Sequence, residues 1–312
     1  MAHYLYPLLS NGIRADIKKH CKATGNKTGS QHWQRTYVKW LNEGILQADV
    51  STPNVIYENR WAKNPVCYLP ESGAFIPQIL ASNFEGQVKL LNPPEKIFTV
   101  AIPKTCHFNN QAIQGLFVTY LTGQEKKDIV AEYRHEHDAP INLSDDVDAD
   151  PQLSITYKDP DGDGRIVLNI EMWRLEWILS AKTIEEYHEL TDRPETPGIF
   201  SAGLSVEEAE TQFEIVQFVV GFIVYLSAHE DAVKDVKSIK MDGVSLNQEK
   251  MTLKTIKQWN SRGKVMPHYR NLRDERFYQR NWASWPPGTR WILVNADAKE
   301  VSSTGLGNDD QG

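Results

Sequence analysis

Between Met266 and Trp282 the chain reads MPHYRNLRDERFYQRNW, which sets His268, Arg270, Arg273, Arg276 and Arg280 among Tyr269, Phe277, Tyr278 and Trp282. Guanidinium forks bind phosphate and carboxylate bidentately, and aromatic faces stack on bases. The composition therefore suits a surface for RNA or for an acidic partner. In that use the histidine and the arginines contact phosphate or acid, while Tyr269, Tyr278 and Trp282 stack or wall a groove. The competing use is architectural: the aromatics belong to a core edge and the arginines solvate its outside. Composition weighs the two equally. Upstream, a basic amphipathic helix is expected from about Asn247 to Trp259, and its Lys250, Lys254 and Lys257 tilt the balance toward an extended anionic partner.

A second constellation is acidic. In DPDGDGRIVLNIE, Asp159, Asp161 and Asp163 occupy positions 1, 3 and 5 of a calcium-loop pattern, with Gly164 at 6. The bidentate acid due at position 12 is Ile170, Glu171 comes one residue late, and strand-type sequence flanks the run. The expectation is an acidic hairpin turn, with calcium or magnesium on Asp159, Asp161 and Asp163 as the lesser alternative. His135 to Asp138, HEHD, has metal-capable side chains that could join those aspartates in a metal-dependent nuclease or hydrolase. The polar run APINLSDD after it favours a solvated loop. His229, Glu230 and Asp231 end an apolar stretch, where a histidine suits the helix dipole. The sequence has no phosphate-binding glycine loop, no nucleophile elbow and no paired Cys/His signature, which lowers the weight of nucleotide-dependent and nucleophile enzymes.

The elements that must position these residues fall into two expected regions. Residues 1–94 form a helical N-terminal region, with YLYPLLSNGIRADIKKHCKA and SQHWQRTYVKWLNEGIL joined by the connector TGNKTGS. Residues 95–300 form an α+β domain whose sheet is antiparallel, and residues 301–312 a disordered tail. Strands are expected at IFTVAI, IQGLFVTYL, LSITYK, RIVLNI and RWILVN. Capping boxes, Thr183 with Glu186 and Ser205 with Glu208, start two helices. The second runs through FEIVQFVVGFIVYLSA, which is too interrupted for a membrane span and reads as a buried core helix.

Charge follows the same division. The formal net charge is −7, yet residues 1–40 carry seven Lys/Arg against Asp16 alone, and residues 250–291 carry ten against Asp274 and Glu275. An acidic total argues against general affinity for nucleic acid or membrane and leaves room for local basic poles. Cys21, Cys67 and Cys106 show no paired spacing and read as thiols of a reducing cytosol, and the N-terminus lacks a signal-peptide pattern.

Several segments also occur in a recognisable order: IQGLFVTYLTG, SITYKDPDGDGRIVLNIE, FIVYLSAHEDA, PHYRNLRDERFYQ and a closing RWILVNA. In this order, over roughly residues 95–296, the chain resembles the phage and plasmid anti-CRISPR family that acts against type V-A systems by blocking biogenesis of the effector nuclease. Pro267, His268 and Arg270 match the family's C-terminal motif, whereas Asn271, Leu272 and Arg273 replace its second Arg, its Gly and its second His. The resemblance implies a non-enzymatic inhibitor, cytoplasmic in a bacterial host. It would recognise a target protein as a nascent peptide at the ribosome and cause loss of the translated mRNA. The implied partners are that polypeptide and nearby RNA or ribosome, with no membrane and no cofactor. A phage structural or assembly protein is a further alternative.

Overall fold

The β-branched and aromatic runs IFTVA and GLFVTYL make strands with both sides buried, each against different helices. The computed structural model describes residues 9–25, 33–43, 52–70, 75–82, 92–137, 152–158, 163–169, 172–181, 183–191, 204–228, 233–241, 244–247, 251–256, 268–279, 283, 287 and 290–294. The first part holds α1 (Leu9–Thr24), α2 (Trp33–Asn42), α3 (Thr52–Lys63), β1 (Val66–Pro70), α4 (Phe75–Leu80) and β2 (Ile97–Ala101). Next come β3 (His107–Phe108), β4 (Gln111–Ala112), β5 (Gly115–Leu121), α5 (Gly123–His137), β6 (Gln152–Lys158) and β7 (Asp163–Asn169). Helices α6 (Met172–Ser180), α7 (Ile184–Thr191) and α8 (Val206–Ala228) follow. Strands β8 (Val233–Val236), β9 (Ser238–Met241), β10 (Val244–Asn247), β11 (Thr252–Ile256), β12 (His268–Leu272) and β13 (Arg290–Val294) complete the order.

The fold is α+β, built on a seven-stranded sheet in the order β7-β6-β5-β2-β1-β11-β8. The structure departs from two expectations. The sheet is mixed rather than antiparallel, because β1 runs parallel to both β2 and β11. The division at residue 94 does not separate a helical region from the sheet, because β1 lies inside it. VCYLP is buried at all five positions, so it lacks the alternation that marks a half-exposed strand.

Each face of the sheet carries its own core. Tyr68, Phe98, Val100, Leu116, Val118, Leu153 and Ile155 turn toward α4, α6, α7 and α8. Helix α8 is apolar almost all round because it is enclosed; it is long and apolar enough to cross a bilayer, yet 83% of that stretch is buried within the protein. Its Phe218 and Phe222 stack at 5.6 Å, and Phe75 meets both edge-on. On the opposite face Phe117 and Leu121 pack with Tyr57 and Trp61 of α3, and beyond them α1, α2, α3 and α5 share a second core.

Local signals explain most boundaries. The Ser205 amide donates to Glu208 at 2.8 Å while the Glu208 amide donates to Ser205 Oγ at 3.2 Å, and the Glu186 amide donates to Thr183 Oγ1 at 3.2 Å. Strands β6 and β7 pair antiparallel with Lys158 opposite Asp163, and the expected acidic turn between them, residues 159–162, lies outside the described residues. Between β3 and β4, Asn109 and Asn110 take positive φ values of 41° and 65°, the conformation of a two-residue hairpin turn that asparagine tolerates.

Candidate functional site

The Arg/aromatic segment folds as a ribbon. Strands β12 and β13 pair antiparallel from His268 opposite Val294 to Leu272 opposite Arg290, and among the described residues they pair only with each other. Arg270 is exposed opposite Ile292, itself 38% exposed. Arg273 is exposed just past the strand. Asp274 then caps a 3-10 turn, Glu275–Phe277: its Oδ1 accepts from the Arg276 amide at 3.0 Å, and its Oδ2 lies 3.1 Å from Arg276 Nε. The Arg276 guanidinium sits 4.9 Å above the Phe277 ring. Tyr278 is only 8% exposed, and its hydroxyl donates to the Leu272 carbonyl, closing the turn back on the strand.

The two readings of this segment thus divide residue by residue. Arg270, Arg273 and Arg276 face solvent, whereas Tyr278 belongs to the ribbon's own packing and is not presented for stacking. His268 and Tyr269 lie on β12, and nothing is described of their side chains; Arg280 and Trp282 lie outside the described residues.

A second group of charges lines an open cleft of about 430 Å³ beside the starts of β1 and β2. Trp61, Val66, Ile97, Leu121 and Ile129 form its apolar lining. Arg60 Nη1 reaches both carboxylate oxygens of Glu132, at 3.0 and 3.1 Å, and Lys63 donates to Glu132 at 2.8 Å and also to Glu136. The Lys63 hydrogen bond holds Glu132 below the usual carboxylate value, against burial and with help from the charges of Arg60 and Lys63. Burial opposes the Lys63 ammonium, but its two glutamate partners outweigh that and raise its pKa. Lys96 is 3.9 Å from Glu125 and 5.0 Å from the centre of the Tyr120 ring. Sequence reading misses this cleft, because α3 and α5 carry no strong apolar period. Thr122 and Glu125 are the available signal: they exchange amide hydrogen bonds of 2.7 and 3.2 Å in a capping box at the start of α5.

Other expectations change with the elements around them. The basic helix from Asn247 to Trp259 is replaced, across its described residues, by the end of β10 and by strand β11. The run TLKTI alternates, burying Leu253 on one face and Ile256 on the other, and that burial overrides the helical reading. Lys254 is not offered to an external anion: it binds Glu95 at 2.6 Å, and the same carboxylate accepts from the Tyr68 hydroxyl, whose pKa is raised first by burial and then by Glu95. Lys250 and Lys257 lie outside the described residues.

The HEHD residues from His135 to His137 end helix α5 rather than forming a loop. Two residues apart on a helix, His135 and His137 point to different sides and cannot share one ion. His137 instead packs on Tyr133 at 4.3 Å, and burial chiefly lowers its pKa, aided by Lys63 and Arg35 and opposed by Glu136. Asp159 and Asp161 lie outside the described residues, and Asp163 opens β7 with its side chain undescribed. Among the described residues no three His, Cys, Asp or Glu side chains gather as metal ligands. All three cysteines are free and buried; burial pushes the Cys67 thiol up to about 12, partly offset by a bond to Thr99, so it stays protonated and unreactive. No family model and no curated protein matches the chain.

Proposed function

We propose that the protein is a non-enzymatic anti-defence regulator of a phage or mobile element, acting in the bacterial cytoplasm. It binds a target polypeptide as that polypeptide leaves the ribosome and promotes loss of its mRNA. The observation that carries this reading is the β12–β13 ribbon, where Arg270 on the strand, Arg273 just past it and Arg276 in the turn that the Tyr278 hydroxyl ties back to Leu272 are all exposed. An extended peptide can add to the edge of such a ribbon through main-chain hydrogen bonds, and arginine forks can select acidic groups beside it. The order of segments that resembles the anti-CRISPR family supports the same role.

Expression in a bacterial host, followed by recovery of ribosome-associated protein and sequencing of co-purifying transcripts, tests it. One transcript should be enriched, and the enrichment should disappear in Arg270→Ala/Arg273→Ala while the protein stays folded. Absence of ribosome association, or enrichment untouched by the double substitution, would overturn the reading.

A further inference from the structure

Helices α1 and α2 bury one side and charge the other. Ile17 and Cys21 of α1, with Tyr37, Val38 and Trp40 of α2, pack into the core they share with Val55 and Ile56 of α3 and Val130 and Tyr133 of α5. At 100° per residue Lys19 stands opposite the buried side of α1, flanked by Lys18 and Lys22, and Arg35 and Lys39 share the outer side of α2. All five are exposed. Residues 9–43 hold two acids: Asp16, three residues before Lys19 with its side chain undescribed, and Glu43, 3.7 Å from Lys39 in a solvent-exposed pair that is weak by nature. The chain's formal charge of −7 makes this cationic face a local exception.

We infer that this face docks on the phosphate backbone of duplex segments of RNA without reading bases. Its large aromatics are turned inward, with Tyr37 and Trp40 buried and Trp33 half-buried, and the exposed His20 ring is engaged edge-on by Trp40 at 4.8 Å, so the described residues provide point charges for phosphate but no broad platform for unpaired bases. A lipid surface is the poorer partner, since the apolar sides of both helices are already covered and have nothing to insert. The choice of RNA over DNA rests on the proposed action at the ribosome, but the residues are separate from Arg270, Arg273 and Arg276. Because the rest of the molecule is acidic, attachment should depend steeply on salt.

The test uses the full chain with a short labelled RNA duplex, a DNA duplex of the same sequence and vesicles of anionic phospholipid, each titrated over a range of salt. Lys18→Gln/Lys19→Gln/Lys22→Gln should weaken RNA binding at least about tenfold and flatten the slope of log K against log salt by about 2 to 3. Arg35→Gln/Lys39→Gln should act in the same direction, and Lys127→Gln/Lys237→Gln, exposed lysines elsewhere, should change nothing. Wild-type RNA affinity in the triple variant, an equal loss in the control, or tighter binding to DNA or to vesicles would overturn the inference. Arg270→Ala/Arg273→Ala separates the two proposals: it should keep duplex binding while abolishing transcript enrichment. Duplex binding lost with the lysines in a protein that enriches no transcript would sink the polypeptide reading and support phosphate docking.

Discussion

The cleft beside α3 and α5 and the ribbon of β12 and β13 both gather cations, yet they use them in opposite ways. In the cleft Arg60 and Lys63 converge on Glu132, and Lys63 also takes Glu136, so the charge is neutralised within the fold and joins two helices. In the ribbon Arg270, Arg273 and Arg276 are exposed on or beside a two-stranded ladder whose following turn is tied back by the Tyr278 hydroxyl, and the carboxylate of Asp274 engages Arg276. The difference teaches that a count of basic residues says little about partners. What matters is whether acids are delivered to the same place by a neighbouring element, and α5 delivers them to α3.

The largest effect that would break this comparison is expected at the ribbon's anchor. Tyr278→Phe removes the donor to the Leu272 carbonyl in a buried contact, which costs about 1 kcal/mol or somewhat more. Thermal melting should show the loss, and transcript enrichment should fall with it because the arginines lose their fixed turn. Unchanged melting and enrichment would mean that the turn is held by something other than this bond.

Next in size is the cleft. Glu132→Gln leaves Arg60 without its carboxylate and Lys63 with Glu136 alone, and the exposed geometry limits the loss to about 1 kcal/mol or less. Transcript enrichment and duplex RNA binding should both be unaffected. A functional loss with normal melting would promote the cleft from a structural joint to a binding site.

The same pair predicts a pH dependence. Glu132 has a depressed pKa in the folded protein, so the unfolded chain binds more protons as pH falls. Its contribution is present above the ordinary glutamate value and is lost as pH drops through the folded one. Lys63 has a raised pKa, so its contribution is present below the ordinary lysine value and fades as pH rises through the raised one. Glu132→Gln should therefore flatten the acid limb of a melting-temperature profile. An acid limb of unaltered steepness would show that Glu132 is not coupled to folding.

Much of this architecture is legible in the amino-acid order. The strands at IFTVAI, IQGLFVTYL, LSITYK, RIVLNI and RWILVN announce themselves as runs rich in β-branched and aromatic residues, and Thr183 and Ser205 by their partners three residues on. The central position of β1 is not legible, because VCYLP is a short run ending in proline and its two parallel neighbours, Ile97–Ala101 and Thr252–Ile256, lie far along the chain. Lys254 misleads for a related reason: its spacing from Lys250 and Lys257 imitates one face of a helix, while its real partner is Glu95, from a distant loop. Within the candidate site, composition identifies the basic ribbon but cannot sort Tyr278 from the arginines. That sorting depends on which side chain the turn folds under.

The smallest effect sharpens the comparison most. Asp274 is the ribbon's counterpart of Glu132, a carboxylate beside an arginine, but its pair with Arg276 is exposed on both sides and contributes little to folding. Asp274→Asn keeps an oxygen to accept the Arg276 amide, so the cap survives and melting should stay within about 0.5 kcal/mol of the wild type. The charge that shields Arg276 disappears. If the ribbon's arginines serve an acidic partner, enrichment of the target transcript should rise by about twofold, the scale of one exposed ion pair released for binding. If enrichment falls instead, Asp274 is itself part of the contact, and the contrast between a self-neutralised cleft and an outward-facing ribbon fails at its clearest residue.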